Sequence, residues 1–265
     1  MKCQFFLNYH TNYGDSLWFS GDQNFLGTIN ENGLLPLEYL SANFWRLEIE
    51  IPDEKVKGQK LEYKYLLRNR NGEFEPESNY KRVIDFSKLK FETIKIYDEW
   101  NFAGAYQNVF YTSPFENVLL PIHKKSKTVS DEPFTHIFKI KYPLLAKDEV
   151  ICMVGDGLQM GNWDTKNPML LGKEGDGWTI KLNLHHAEFP MGYKYGVFDK
   201  KKKEFVRFEE GDNRICFDAA LDDECIIMQD GFARLPNNTW KGAGVAIPVF
   251  SLRSKESFGI GEFTD

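Results

Sequence analysis

Short stretches in which apolar and polar residues alternate with a period of two recur along the chain. This period places the apolar side chains on one face of an extended segment, as in a half-buried β-strand. Gly, Asn, Asp and Pro separate the stretches, which is typical of turns between strands. No long amphipathic helix pattern accompanies them, so the sequence predicts an all-β fold of antiparallel β-sandwiches. The alternating segments are 44–52, 61–67, 93–97, 135–142, 150–154, 178–184 and 193–198.

The two halves of the chain repeat the same motifs in the same order. Residues 21–27 read GDQNFLG and residues 155–161 read GDGLQMG, so both fit the pattern G-D-x-x-x-(L/M)-G. Repetition at a nearly fixed spacing indicates two copies of one structural unit. The further matches pair Trp45 with Trp178, Tyr63-Lys64-Tyr65 with Tyr193-Lys194-Tyr195, Phe74-Glu75 with Phe208-Glu209, and Asn79 with Asn213.

The repeat predicts four regions. Residues 1–100 form the first sandwich, residues 132–228 form the second, and residues 101–131 form a bridge that matches neither copy. The end of the bridge, KKSKTVSDEP, is polar and typical of an exposed linker. Residues 229–265 contain a strand-like run, VAIPVF, with no partner in the chain. Because a lone strand cannot bury itself, we expect this region to be the truncated start of a further domain.

Composition and charge exclude several classes of function. The chain of 265 residues has a net charge of −6, so it lacks the basic footprint that nucleic acids and anionic membranes require. No apolar run approaches the ~20 residues of a membrane helix, and the N-terminus lacks the apolar region of a signal peptide. We therefore expect a soluble, cytoplasmic protein. The cysteines form no metal-binding motif, and Cys152 and Cys216 lie among apolar neighbours, as reduced core thiols do.

Trp163 is the most informative single residue, because it follows a turn rather than lying within an alternating strand. Its neighbours in GDGLQMGNWD are glycine, asparagine and aspartate. In one interpretation the indole folds back and caps the sandwich. In the other it is an exposed platform that stacks on the apolar face of a sugar ring, with Lys194, Glu209 and Asn213 as polar groups for the hydroxyls. The stretch alone leaves both interpretations open.

Motifs within residues 132–228 resemble carbohydrate-binding module family 20, the starch-binding domains. GDGLQMGNW, Trp178, GYKYG and RFEEGDNR occur in the order of that family's motifs and at similar spacing. The resemblance implies a compact antiparallel β-sandwich that binds α-1,4-glucan. Trp178 matches a residue that belongs to a second site in some members, although its position also suits a core strand. At the principal site the resemblance places Trp163 and Lys194, with Phe208 as a second stacking residue and Glu209 and Asn213 as polar groups.

The first copy resembles the same family but departs from it at the glucan site. Ile29 stands where the platform Trp is expected. The resemblance therefore leaves this copy either a weaker glucan contact, through Trp45 or a different surface and with Lys64 as a further candidate residue, or a structural role. The second copy departs less: at its glucan site the difference is Phe208, which offers a smaller stacking face than the Trp that the family often has there.

Residues 240–265, WKGAGVAIPVFSLRSKESFGIGEFTD, are similar to the opening of the amylomaltase barrel of glycoside hydrolase family 77. Tandem modules followed by this segment resemble the N-terminal part of the disproportionating 4-α-glucanotransferases. The resemblance implies a parent enzyme that transfers glucosyl units between α-1,4-glucans or maltose with retention, without a metal or organic cofactor. The catalytic carboxyl groups of that family lie downstream. We therefore expect no catalytic residue in this chain, and we interpret Asp156, Asp164 and Glu209 as turn formers or sugar-binding groups.

Other functions compete with this interpretation. Sandwiches that have lost sugar binding would serve as a protein-interaction or dimerisation platform, which Ile29 and Phe208 favour and which Trp163 with Lys194 opposes. A starch-binding module of another enzyme, such as an amylase, disagrees with the SLRS and FGIGEF motifs of the tail. A self-contained glycosidase is disfavoured because no carboxylate pair occurs in a groove motif. The sequence predicts no particular oligomeric state.

Overall fold

Eighteen β-strands account for most of the chain that the computed structural model describes, namely residues 1–21, 34–52, 60–78, 81–105, 107–108, 133–142, 144–175 and 177–234. The first repeat contains β1 Lys2–Asn8, β2 Ser16–Gly21, β3 Leu34–Pro36, β4 Glu38–Tyr39, β5 Phe44–Glu50, β6 Lys60–Arg68, β7 Phe74–Pro76, β8 Arg82–Asp85 and β9 Thr93–Glu99. The second contains β10 His136–Lys141, β11 Glu149–Gly155, β12 Met169–Leu170, β13 Gly172–Glu174, β14 Gly177–Leu182, β15 Met191–Asp199, β16 Glu204–Phe208, β17 Arg214–Cys216 and β18 Glu224–Phe232.

The alternation in the sequence is confirmed as a burial pattern. In β5, for example, Trp45, Leu47 and Ile49 point into the core, while the residues between them are partly or fully exposed. Each of the predicted segments overlaps one strand, and the described residues form no α-helix; their 3-10 turns include Phe86–Lys88 and Leu158–Met160. The predicted all-β class is therefore confirmed for the described residues. None of these residues belongs to a helix long and apolar enough to cross a membrane.

The two repeats share one large sheet. Its eight strands lie in the order β4-β5-β1-β9-β18-β10-β14-β13, so the first repeat supplies one half and the second repeat the other. Each repeat also has a smaller sheet of five strands. In the first repeat the order is β3-β2-β6-β7, with β8 also on β6, and in the second it is β12-β11-β15-β16, with β17 also on β15. One half of the large sheet and one small sheet form the sandwich of each repeat.

The halves of the large sheet meet at a parallel pair, β9 with β18, which we call the seam. β1 also pairs in parallel with β9, and β10 with β18. The prediction of purely antiparallel sandwiches is therefore wrong at these strands, because the first and last strands of each repeat lie side by side and run in the same direction. From the seam outward, the first repeat has the order β9-β1-β5-β4, and the second repeat has the equivalent order β18-β10-β14-β13. Since strands across the seam are parallel, the repeats are related by a pseudo-twofold axis along the strands.

Side chains at the seam alternate between two cores. On β18, Ile226 and Met228 belong to the core of the second repeat, whereas Cys225 and Ile227 complete the core of the first. Tyr97 of β9 correspondingly packs against the second core. The two small sheets therefore cover opposite faces of the large sheet. The described residues of the two repeats belong to one compact unit.

Polar side chains also connect the repeats across the seam. Charged and hydroxyl groups on β9 and β6 of the first repeat meet partners on β17 and β18 of the second. The contacts are Lys95 with Glu224 at 3.1 Å, Glu99 with Arg214 at 3.2 Å, and the Gln229 amide donating to the Tyr63 hydroxyl at 2.6 Å. Partly buried pairs of this kind are screened less by salt than exposed pairs.

Each repeat buries the same cluster of five polar residues, which we call the Tyr-Tyr-Glu-Arg-Asp network. In the second repeat the hydroxyls of Tyr193 and Tyr195 donate to Asp230 at 2.9 and 2.7 Å. Arg214 donates to both carboxylate oxygens of Glu209 at 2.9 Å. Buried charges persist when they are paired and hydrogen-bonded in this way. The equivalent residues of the first repeat are Tyr63, Tyr65, Glu77, Arg82 and Asp98.

The network corrects part of the repeat alignment. Glu77 is the counterpart of Glu209, because each carboxylate accepts the backbone N–H of the second tyrosine, Tyr65 or Tyr195. These partners are 12 positions apart in the first repeat and 14 in the second, since the second hairpin is longer. Phe208 therefore corresponds to Pro76 rather than Phe74, and Asn213 to Lys81; Asn79 lies outside the described residues.

One predicted region boundary lies within a strand, and much of two predicted regions lies outside the described residues. Residue 228, the predicted end of the second sandwich, lies within β18, which continues to Phe232. Most of the predicted bridge and nearly all of the predicted barrel start, residues 109–132 and 235–265, lie outside the described residues. The division into four regions therefore stays a prediction.

We expect Ile227→Ala to destabilise both repeats together, because Ile227 lies on a strand of the second repeat but fills the core of the first. Truncation of a buried isoleucine costs about 2–5 kcal/mol. Equilibrium urea unfolding, followed by far-UV circular dichroism, should show a single transition at lower urea. The control Ile215→Ala, at a side chain that is 45% exposed, should change stability by less than ~0.5 kcal/mol. Two transitions, of which only one moves, would contradict a shared core.

Candidate functional site

Trp163 lies in a tight loop that follows β11. Its backbone N–H donates to the carbonyl oxygen of Gly155 at 3.1 Å, and that of Asn162 donates to Gly157 at 2.9 Å. Asn162 and Trp163 both adopt positive φ, 48° and 59°, which is uncommon for residues other than glycine. Backbone held in this region tends to occur at functional positions. The loop therefore fixes the direction in which the indole leaves the chain.

Asp156 anchors the indole. Nε1–H of Trp163 donates to Oδ1 of Asp156 at 2.7 Å, and Oδ2 accepts the backbone N–H of Gly192 at 2.6 Å. The ring lies against β15, because its Cζ2 is 3.7 Å from the place that a Cβ on Gly192 would occupy. Trp163 is half-buried, and the described core of the second repeat does not include it. This geometry favours the platform interpretation over a core cap.

The structure brings Lys194 and Asn213 to the same end of the small sheet as Trp163. Lys194 is next to Tyr193 on β15, and Tyr193 pairs with Gly155 at the base of the Trp163 loop. The Lys194 ammonium donates to the carbonyl oxygen of Gly211, in the turn between β16 and β17. Asn213 lies in the same turn, and its side chain is exposed. A hydrogen-bonding cation and an exposed amide thus lie at the sheet end that holds the indole.

Phe208 and Glu209 are adjacent in sequence but differ in environment. Phe208 ends β16, is 38% exposed and contacts the ring of Phe205 at a centroid distance of 4.5 Å. Glu209 is 3% exposed, and besides Arg214 it accepts the backbone N–H groups of Tyr195 and Arg234, each at 3.2 Å. Because its oxygens are bonded within the protein, the structure favours a structural role for Glu209, and its role as a sugar-binding group stays a prediction.

The tryptophans near the starts of β5 and β14 pack in or against the hydrophobic cores. Trp178 lies opposite Ile140 and packs, half-buried, against the core of the second repeat. Trp45 lies opposite Leu7, is 6% exposed and belongs to the first core. Its indole N–H has no hydrogen-bond partner among the described residues, and the exposed ring of Tyr39 meets it edge-on at 5.3 Å. The surroundings of both residues favour the structural interpretation.

Lys64 lies at the position in the first repeat that Lys194 has in the second. It lines a groove of about 310 Å³ together with Ser20, Gly21, Glu62, Tyr63 and Lys81. Lys81 forms an exposed salt bridge with Glu62 at 3.2 Å, so two of the charges along this groove are paired. Ile29, which the sequence places at the platform position, lies outside the described residues.

The described residues offer no group of three or more histidine, cysteine, aspartate or glutamate side chains that could hold a metal ion. All four cysteines are buried and unpaired, as predicted for Cys152 and Cys216. Burial raises the pKa of the Cys152 thiol to about 12, so this residue is an inert core thiol.

The sequence motifs indicate Trp163 but not what holds it. From sequence alone, Asp156 suits a turn or a sugar-binding position, and Gly192 is only part of a motif. The signal in the sequence is indirect: a carboxylate directly after the end of a strand can reach the backbone of the neighbouring strand only if the register allows it. The pairing of Gly155 with Tyr193 provides that register.

Comparison with known proteins agrees with the repeat. The starch binding domain family matches residues 1–94 and 135–220. The 4-alpha-glucanotransferase DPE2 of Oryza sativa subsp. japonica is 28% identical over 281 aligned positions, which cover 98% of this chain and 29% of that protein. The chain thus spans less than a third of the length of this curated relative.

Solved structures with similarity to parts of the chain include a carbohydrate-binding module and a glucoamylase. One is the family 20 carbohydrate-binding module of a maltotetraose-forming amylase from Pseudomonas saccharophila, with 16% identity, coverage of 35% of this chain and 97% of that chain, and a TM-score of 0.30. The other is a glycoside hydrolase family 15 glucoamylase from Hypocrea jecorina, with 17% identity, coverage of 38% and 17%, and a TM-score of 0.28. The family match covers more than half of the chain and falls once in each repeat, so the chain belongs to the starch binding domain family.

Proposed function

We propose that this chain binds α-1,4-glucan through its second repeat and is the N-terminal binding region of a 4-α-glucanotransferase. The observation that carries the proposal is the indole of Trp163, which Asp156 holds at an exposed loop by a 2.7 Å hydrogen bond, at the sheet end that also carries Lys194 and Asn213. Membership of the starch binding domain family and the similarity to the rice 4-alpha-glucanotransferase DPE2 support it.

The ring of Trp163 contributes its flat face rather than its N–H group. Because Nε1–H is already bonded to Asp156, the remaining interaction is stacking against the C–H face of a glucose ring. The ammonium of Lys194 and the amide of Asn213 supply donors and an acceptor for sugar hydroxyls. Because the ring is already anchored in the free protein, this side chain loses less conformational entropy when a ligand binds. Phe208 is the candidate for a second, smaller stacking face.

The catalytic step belongs to the parent enzyme rather than to this chain. In the proposed enzyme, two carboxyl groups outside the 265 residues would transfer glucosyl units with retention between α-1,4-glucans, such as starch, glycogen or maltodextrin, or maltose. The second repeat would hold a glucan chain close to that centre and so raise its local concentration. A cytoplasmic location and inactivity of the isolated chain are parts of the same proposal.

Isothermal titration of the chain with maltoheptaose tests the proposed site. Trp163→Ala should weaken binding about tenfold or more, which corresponds to ~1.4 kcal/mol, because the stacking face is removed. Trp163→Phe should lose less, since a smaller aromatic face remains. Full binding by Trp163→Ala, together with a loss in Trp178→Phe, would move the site to β14. No heat with the unsubstituted chain at millimolar sugar would contradict glucan binding and favour the protein-interaction platform.

Asp156 should act through the position of Trp163. In Asp156→Ala the indole N–H loses its acceptor, so we expect its hydrogen exchange to accelerate in NMR spectra and maltoheptaose affinity to fall about three- to tenfold. Asp156→Asn keeps a side-chain oxygen and should restore part of both. The matched control is Asp164→Ala: Asp164 bonds Lys166 and Asn167 at 2.8 and 2.9 Å but not the indole. Equal losses in the two alanine variants would show a general loop effect instead.

A further inference from the structure

The small sheet of the first repeat has an apolar row across its solvent-facing side. Trp18 of β2 lies in register between Pro36 of β3 and Leu66 of β6, and Leu66 lies opposite Pro76 of β7. Both prolines are exposed, whereas Trp18 and Leu66 are half-buried. The flanking residues of each strand point inward and fill the core, so the side chains of this row point outward.

Two aromatic rings in this region form a corner. The ring of Phe74, which is 42% exposed, meets Trp18 at a centroid distance of 5.6 Å and an interplanar angle of 82°. The indole N–H of Trp18 donates to the hydroxyl of Ser16 at 3.1 Å, so its polar group is satisfied within the protein. The guanidinium of Arg68 lies 5.8 Å from the Phe74 centroid. The corner therefore has two apolar faces and a cation beside them.

The described residues of the second repeat form no equivalent of this corner. Its corresponding row contains Cys152 in the place of Trp18, and Cys152 is completely buried. Gly196 stands in the place of Leu66 and lies beneath Phe205, since a Cβ there would be 2.5 Å from that ring. Phe208 stands in the place of Pro76. The aromatic surface of the first repeat is thus a distinct feature and not a copy of the Trp163 site.

We propose that Trp18 and Phe74 form an additional α-glucan contact on the first repeat, which we call the Trp18 corner. One glucose ring stacks against the corner, and the guanidinium of Arg68 and the Ser16 hydroxyl take its hydroxyl groups. A sugar fits better than a protein partner, because the apolar row is narrow and Ser20, Lys64 and Glu62 on the same face are polar, whereas protein interfaces centre on larger apolar patches. The proposal rests on the proposed function.

The Trp18 corner and the Trp163 site face away from each other. The small sheets that carry them cover opposite faces of the large sheet, and sheets pack roughly 10 Å apart, so roughly 20 Å and a complete sheet separate the two surfaces. A short maltooligosaccharide therefore occupies one site at a time. The chain consequently holds two oligosaccharides, or two distant segments of one long glucan.

NMR titration with maltoheptaose tests the Trp18 corner in the complete chain, with the indole N–H signals of Trp18 and Trp163 assigned from the variants. We expect both signals to shift, each with its own affinity. In Trp163→Ala the Trp18 signal should still shift with unchanged affinity, and in Trp18→Ala the Trp163 signal should do so. In the double variant the affinity of the chain for maltoheptaose should be at least tenfold lower than in either single variant. The matched control is Val83→Ala, which removes a side chain 39% exposed on the outer face of the same sheet and should change neither affinity.

The outcomes separate this inference from the proposed function. A Trp163 shift without any Trp18 shift would overturn the Trp18 corner and leave the proposed function intact. Loss of all shifts in the unsubstituted chain would overturn both. Residual binding in the double variant at the strength of the single variants would place the additional site elsewhere and overturn the corner. If Trp18→Ala instead reduced self-association in size-exclusion chromatography and left glucan binding unchanged, the corner would be a protein contact.

Discussion

Parallel pairing between β9 and β18 joins the last strands of the two repeats and thereby decides which way each repeat faces. In a parallel pair, neighbouring residues point to the same side, so Ile94 with Cys225 and Ile96 with Ile227 fill one core together. The residues between them on β18 point to the other side and fill the second core. Neither repeat can complete its core without a strand of the other. The relative orientation of the two small sheets, which carry the proposed glucan sites, is therefore set by backbone hydrogen bonds at the seam.

The seam also limits how the repeats can cooperate. The pseudo-twofold axis runs along the strands, so the Trp163 loop at the end of β11 and the Lys64 groove at the end of β2 lie at the same end of the molecule. They nevertheless lie on opposite sides of the large sheet. Avidity through two tethered sites requires a ligand that spans both. For the proposed sites, only a glucan long enough to turn around the sheet end would meet that condition.

Strands and repeats were predictable from sequence because they depend on local patterns. Alternation in β5 and β6 shows directly which face is buried. The shared sheet was not predictable, because alternation does not reveal what covers a face. β18 illustrates this: Cys225 to Met228 are all buried, and such a continuous apolar run fits any strand that is covered on both sides. Its boundary was accordingly predicted within the strand.

The candidate site was predictable only in part, for a similar reason. The turn around Trp163 and the position of Lys194 follow from sequence motifs. The type of residue at position 209 does not reveal its role, because a glutamate suits a sugar-binding surface as well as a buried ion pair. In this structure Glu209 pairs with Arg214, and the register that brings the two side chains together depends on hairpin length. The anchoring of Trp163 by Asp156 likewise depends on the neighbouring strand.

The buried frame and the solvent-facing surfaces are separate in this molecule, so two repeats with one fold can differ in their surface residues. Burial raises the pKa values of Asp98 and Asp230, and the neighbouring arginine in each repeat opposes that rise. These buried groups hold the central strands in the same register in both repeats, but they do not reach the solvent-facing side of the small sheets. Outward positions can therefore change without disturbing the frame. A Trp in the loop of the second repeat and a Trp on the open face of the first are two such changes, so an Ile at the platform position does not require the first repeat to lose contact with glucan.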